Sequence, residues 1–282
     1  GGDALNVAMG LAKLGVAVDV AGRVAADANG SFIRAECEKA GIGGKNIVND
    51  SFCATVTSFA LIDTSGERHF LTDKAIFEKL TAADIPDTAL PKAGIVYFGS
   101  DMAFPAMDGG GTAGLFKMAL GLGSLTVMDA ALNEAAAVNW RAVLSGALHN
   151  TDIFFPSLAE ATAITGKTEL PQIAQQFRQY GMKAFGVKLG AKGCYITNFN
   201  DEAYFPALQG LPVVDTTGAG DSFMAAFICG LVHGWNIFEC AEFANTVAAQ
   251  NVGAVGGTAG IPGFDDAFAF YQSRKTITGP KA

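Results

Sequence analysis

The stretch Val213-Val214-Asp215-Thr216-Thr217-Gly218-Ala219-Gly220-Asp221-Ser222-Phe223 decides how the rest of the chain is read. Two β-branched valines favour an extended backbone. Beyond the Gly-Ala-Gly turn, Phe223, Ala226, Phe227, Gly230 and Leu231 recur at i, i+3, i+4, i+7 and i+8, the apolar stripe of a helix. The expectation is strand, tight glycine turn, helix, with Asp221 in the first helical turn. Gly218 and Gly220 allow backbone N–H groups to approach a ligand with no Cβ in the way. The first N–H groups of a helix lack internal partners and stand at the positive end of its dipole, so an anion belongs there. A carboxylate at such a place is either a helix cap or a group that does chemistry. The glycines on both sides of Ala219 favour chemistry.

The 282 residues suffice for one large α/β domain or two small ones, and half of them are hydrophobic. The net charge is −8 and no run of Lys or Arg interrupts it, which argues against nucleic acid and against anionic membranes as partners. An anionic substrate therefore needs a local site. Cys37, Cys53, Cys194, Cys229 and Cys240 are scattered with no C-x-x-C pair, the usage of reduced thiols in a cytoplasmic protein. No apolar run reaches the roughly 18 residues of a membrane span. His69, His149 and His233 have no metal-site spacing. The chain opens on Gly1-Gly2-Asp3 without a methionine, so a further N-terminal segment is expected before it.

Taken in order, Val7, Ala8, Leu11, Ala12 and Leu14 mark a buried helix that Gly15 stops. A strand at 16–22 and a helix at 31–40 follow. Residues 55–63 and 68–72, around the turn Thr64-Ser65-Gly66-Glu67, read as a hairpin. Further strands are expected at 95–99, 125–129, 152–155, 184–189 and 194–197, and helices at 115–122, 156–165 and 238–252. Residues 109–114 spell a formal G-x-G-x-x-G, but 101–108, with Pro105 inside, separate it from the strand that a dinucleotide fingerprint requires. It is read as a loop, and an NAD-linked dehydrogenase is the weaker alternative. Gly166-Lys167-Thr168 imitates the end of a P-loop, but Ala161 stands where its first glycine belongs.

Asp215-Thr216-Thr217-Gly218-Ala219-Gly220-Asp221-Ser222-Phe223 closely resembles the C-terminal signature of the ribokinase family of carbohydrate kinases, the PfkB type. Gly1-Gly2-Asp3-Ala4-Leu5-Asn6 is similar to the segment that opens that family's first helix, which implies Gly2, Asp3 and Asn6 as sugar contacts. Residues 22–30 resemble a further family segment, with Ala25 where glycine is usual. The hairpin within 53–74 corresponds to the family's β lid, whose other strands and sugar-gripping aspartate would precede Gly1. Asp129-Ala130-Ala131-Leu132-Asn133 is partly similar to Asp-x-Asn-x-Arg, which makes Asp129 a candidate. Pro156-Ser157-Leu158-Ala159-Glu160 resembles Pro-Asn-x-x-Glu, implying Mg²⁺ held through water near Glu160, with Ser157 replacing the asparagine on the nucleotide side. The turn at 189–193 implies Lys188, Gly190 and Gly193 as ATP contacts, and the helix carrying Asn245 would border adenine. Asp215, Thr217, Asn251, Ala254 and Gly256 match the positions that hold K⁺ in family members, although Ala254 stands for the usual arginine.

The resemblance thus implies an ATP-dependent sugar kinase. Asp221 would be the base, and the backbone of Gly218, Ala219 and Gly220 the anion hole. The fold would be one ribokinase-like domain over 1–282, a three-layer α/β/α core around a mainly parallel sheet with a small β lid. Fructose, ribose and 2-keto-3-deoxygluconate are the expected acceptors. A nucleoside kinase and a non-catalytic sugar sensor are the alternatives on the same fold, and pairing through the lid would give a homodimer.

Overall fold

In the computed structural model of the protein, which describes residues 2–62, 68–73, 75–86, 88–131 and 138–278, successive strand residues point into two separate cores. Val127, Ile153, Phe155, Ala184, Cys194 and Ile196 enter one; Met128, Phe154, Phe185 and Tyr195 enter the other. A sheet buried on both faces needs helices on both, and this alternation is what a period of two residues produces.

The chain runs α1 (Asp3–Lys13), β1 (Asp19–Ala25), α2 (Ala28–Lys39), β2 (Gly43–Asp50), β3 (Ser58–Ile62), β4 (Arg68–Thr72), β5 (Ile95–Asp101) and α3 (Thr112–Gly121). It continues with β6 (Leu125–Ala130), α4 (Trp140–Val143), α5 (Ser145–Leu148), β7 (Ile153–Phe154), α6 (Leu158–Thr165), α7 (Leu170–Arg178) and β8 (Ala184–Lys188). β9 (Cys194–Thr197), β10 (Glu202–Phe205), α8 (Ala219–Val232), α9 (Ile237–Asn251) and α10 (Phe264–Thr278) complete it. The central sheet has the order β10-β9-β8-β7-β6-β5, parallel from β5 to β8 and antiparallel at β9 and β10. α1, α8 and α9 cover one face; α3, α6 and α7 cover the other. This is the expected three-layer arrangement. β1 and β2 form a separate parallel pair, packed with α1 and α2 around Ala8, Val24, Cys37, Ile42 and Ile47. All five cysteines are free thiols.

The β3–β4 hairpin pairs Ser58 with Thr72 and Ile62 with Arg68. It falls within the expected 53–74, while its turn, 64–67, lies outside the described residues, as do Gly1 and Asn133.

Several expectations need correction. Val213 and Val214 do not form a strand: they are 69% and 58% exposed, and the Val214 and Asp215 amides donate to the Val252 carbonyl at 2.8 and 3.1 Å. β-branching favours a strand only where a neighbouring strand and a core face are on offer, and this segment has a helix end beside it instead. β1 starts and ends three residues later than its apolar run. α2 starts at Ala28, with Asp27 Oδ1 accepting from the Gly30 amide at 2.7 Å. The glycine run at 109–114 is no loop: Met107–Gly111 forms a wide helical turn that leads into α3.

Because β5 to β8 run parallel, Ser100, Asp129, Ser157 and Lys188 come to the same, C-terminal edge of the sheet, where α/β folds bind ligands. α1 lies against α8 at close range. A Cβ on Gly10 would sit 2.6 Å from Ala225 Cβ, so only glycine permits this approach. Gly10→Val is expected to push the helices apart at a cost of about 1–3 kcal/mol. A melting curve should show Tm lowered by roughly 5 °C; an unchanged Tm would contradict the packing argument.

Candidate active site

The site grows from the start of α8. Gly218 precedes the helix in the left-handed region, φ 71°, and a Cβ there would collide with the Gly257 carbonyl. Both conditions demand glycine. The Ala219 amide donates to the Thr216 carbonyl at 3.3 Å, so it is turned partly back on its own loop. Gly220 faces the side chain of Lys188: a Cβ there would lie 3.5 Å from Lys188 Nζ. An ammonium and a helix N-terminus therefore converge on one spot, and both favour an anion.

Asp221 stands one residue further, in the first turn of α8. Its Oδ2 accepts from Asn6 Nδ2 at 2.6 Å, a bond between residues 215 positions apart. Burial, then the charge of Asp3, pushes the Asp221 carboxyl up to about 6; the Asn6 hydrogen bond and Lys188 work against that rise. Asp3 accepts from Tyr97 Oη at 2.6 Å and from Ser100 Oγ at 3.1 Å. Its carboxylate rests on Gly99, where a Cβ would clash with it. Burial and then Asp3 raise the Tyr97 phenol well above its ordinary range, so it stays a hydrogen-bond donor. Tyr97 and Ser100 escaped the sequence reading. Their only signal is polarity near the C-terminal end of an otherwise apolar strand.

Lys188 is ion-paired with Asp129 across the sheet edge. Burial would lower the Lys188 ammonium, but the Asp129, Glu160 and Asp3 carboxylates outweigh it and hold the group charged. Burial raises Asp129 above the carboxylate range, opposed by Lys188. Ser157 and Glu160 form a reciprocal cap on α6: the Ser157 amide donates to Glu160 Oε2 at 2.6 Å, and the Glu160 amide to Ser157 Oγ at 3.4 Å. Gly190 and Gly193 both have positive φ, 57° and 99°, in the turn between β8 and β9. Asn245 donates to the Pro206 carbonyl at 2.7 Å, tying α9 to the segment after β10.

Behind the α8 start, Asp215 Oδ1 accepts from the Thr217 amide and Oδ2 from the Gly256 amide, each at 2.9 Å. The buried Asn251 donates to the Gly257 and Gly218 carbonyls at 3.0 and 3.4 Å and accepts from the Gly260 amide at 3.1 Å. Its side chain thus holds the loop together. Lys13 Nζ caps the Thr258 and Ala259 carbonyls at 2.6 and 3.3 Å. Asp215 supplies a carboxylate, a ligand type that hard cations take, and both its oxygens here accept backbone amides, those of Thr217 and Gly256. Among the described residues no group of three or more His, Cys, Asp or Glu is placed to hold a metal. A Mg²⁺ beside Glu160 would fit as an ion held chiefly by phosphate oxygens and water.

The profile of the pfkB family carbohydrate kinases matches residues 1–263, and the chain belongs to that family. It is accordingly a phosphotransferase with a sugar hydroxyl as acceptor, and the dehydrogenase alternative falls. It is 26% identical over 264 residues to a protein of Archaeoglobus fulgidus named an uncharacterized sugar kinase, covering 90% of this chain and 98% of that one. It is 25% identical over 282 residues to the 2-dehydro-3-deoxygluconokinase of Bacillus subtilis, covering 96% and 86%. The crystal structure of a fructokinase with bound ATP from Xylella fastidiosa superposes with a TM-score of 0.87 at 21% identity, covering 98% and 91%. The fold is therefore ribokinase-like.

If Asp221 must be ionised to act, kcat/KM should rise with pH through about 6. Asn6→Ala removes the hydrogen bond that favours the charged form, so its acid limb should move to higher pH. A pH–rate series on both proteins checks this, and an unmoved limb would detach Asn6 from Asp221 function.

Proposed function

We propose that the protein is an ATP-dependent sugar kinase that phosphorylates an exocyclic hydroxyl of a monosaccharide of the fructose, ribose or 2-keto-3-deoxygluconate type. The observation that carries this reading is the meeting of Asp3, Asn6 and Asp221 beside the open start of α8. Polar groups from α1 would hold the sugar hydroxyls, with Gly2 at the helix entrance and Asp3 oriented by Tyr97 and Ser100. Asp221 would take the proton of the attacking hydroxyl, its raised basicity being matched to that task. The charge on the transferred phosphoryl group would face the Gly218, Ala219 and Gly220 backbone, with Lys188 alongside. Asp129, ion-paired with Lys188, would keep that ammonium charged beside Gly220.

On the nucleotide side, Ser157, Gly190, Gly193 and Asn245 would border ATP. Mg²⁺ near Glu160 would offset phosphate charge. A K⁺ ion among Asp215, Thr217, Ala254 and Gly256 would stiffen the loop behind the anion hole, with Asn251 buttressing it. We read residues 1–282 as one kinase domain whose β3–β4 hairpin is a lid that keeps water from the phosphoryl group. The five free thiols support a cytoplasmic setting; among the described residues no helix is long and apolar enough to cross a membrane.

ADP release should be measured over fructose, ribose, 2-keto-3-deoxygluconate and adenosine. Turnover is expected with a sugar; adenosine alone as acceptor would move the assignment to nucleosides, and no turnover at all would favour a sensor. With the best acceptor, Asp221→Asn should lower kcat by about 10²-fold or more while ATP binding persists. Near-normal turnover would remove Asp221 as the base.

A further inference from the structure

The proposed reaction leaves two buried carboxyls and the glycine run beside them without a part. Asp101 ends β5 and is fully buried; Asp108 lies in the turn Met107–Gly111 and is almost as deeply buried. Gly110, at φ 128°, supplies the one non-helical residue inside this turn. Asp108 Oδ1 accepts from the Met102 amide at 2.8 Å, and Asp101 Oδ1 accepts from Thr112 Oγ1 at 3.0 Å. No N–H or hydroxyl of the described residues reaches Asp101 Oδ2. Among the described residues the ionisable group that acts on that carboxyl is Asp108.

The elements packed around the pair carry Asp3 on α1, Tyr97 on β5, Asp129 on β6, Lys117 on α3 and Arg141 on α4. Lys117 and Arg141 are exposed, and among the described residues no cation pairs with either carboxyl. Two carboxylates in buried contact cannot both ionise without a large penalty, whereas one shared proton supplies the missing donor.

The backbone around Asp101 shows what the pair could hold. Ser100 and Met102, on either side of it, are non-glycine residues in the left-handed region, φ 64° and 80°. Such a corner persists only where its surroundings overdetermine it. Its backbone is pinned by the Ala131 amide on the Asp101 carbonyl at 2.8 Å and by Asp108 on the Met102 amide, while Thr112 holds the Asp101 side chain. The same corner presents the Ser100 hydroxyl to Asp3.

We propose that Asp101 and Asp108 share a single proton and act as a positioning pair, clamping the Ser100–Met102 corner so that Ser100 orients Asp3 toward the sugar. The sugar-side consequence rests on the kinase reading given above; the shared proton does not. Burial, then the Asp108 charge, pushes the Asp101 carboxyl up to about 8, and burial pushes Asp108 up to about 6. The native protein then keeps a proton that the unfolded chain releases above about pH 4. Wild-type stability must fall as pH rises from there toward the raised value. Asn at either position supplies a permanent donor and abolishes that fall.

The test is thermal unfolding of the full chain against pH for wild type, Asp101→Asn and Asp108→Asn, the second variant covering a failure of the first to fold. Between pH 5 and 7 the variant's Tm should gain on wild type by roughly 3 °C per pH unit. A difference independent of pH overturns the shared proton. With the best sugar acceptor, wild-type KM should rise about threefold or more between pH 7 and 9 at steady kcat, and Asp101→Asn should not follow it. A variant that follows wild type overturns the positioning role. Should no sugar in the panel be turned over, the kinase reading fails, and the unfolding series still decides the pair.

Discussion

The hydrogen bond from Asn6 Nδ2 to Asp221 Oδ2, 2.6 Å long, spans 215 positions of sequence, and the site is built around it. It fixes which oxygen of Asp221 is left for other work. It can form only because α1 and α8 touch, and they touch because Gly10 has no side chain opposite Ala225. Behind it, Asn6 packs on Gly257, whose carbonyl abuts Gly218. The backbone that opens α8 is therefore held from the sugar side and from the glycine-rich loop at once. A site held in this way loses little freedom when a ligand arrives, which is the condition for orienting a reaction rather than merely binding its substrate.

A chain of net charge −8 gathers Asp3, Asp129, Glu160 and Asp221 around one lysine. In water such a group would repel a nucleotide. In the fold, Lys188 is buried against Asp129, and the helix start adds positive potential without adding a titratable group. The division of labour is local: carboxylates gather toward Asn6 and Tyr97, and the cation and amides toward Gly220. Glu160 belongs to both its helix cap and this field, so its orientation is settled by α6 before any ion or phosphate approaches.

The sequence made the centre of this site legible and much of its frame illegible, for physical reasons. Asp221 could be found because two glycines and an apolar stripe constrain the backbone within a few residues. Asn6 stood out only through the resemblance of Gly1–Asn6 to a family segment, since a helix-start Asn by itself reads as a cap. The Asp129–Lys188 pair joins positions that only the sheet order makes neighbours, and no local pattern announces it. Val213 and Val214 had strand propensity with no strand to pair with. β2 ran the other way: Gly43-Gly44-Lys45-Asn46-Ile47-Val48-Asn49-Asp50 is largely polar, and its pairing with β1 makes it a strand. The glycines at 109–114 were visible but ambiguous, since a helical wide turn and a loop call for the same residues.

The contact between α1 and α8 also bears on how the chain is made. α1 is an early helix, yet Val7 and Leu11 bury against a core to which α8 contributes from Phe223 onward. On a ribosome that part of the core is missing until most of the chain has emerged, although β1 and β5 can meet α1 earlier, and non-local contacts of this span close slowly. Synthesis therefore passes through an interval in which α1 is only partly covered, and Asn6 waits for Asp221.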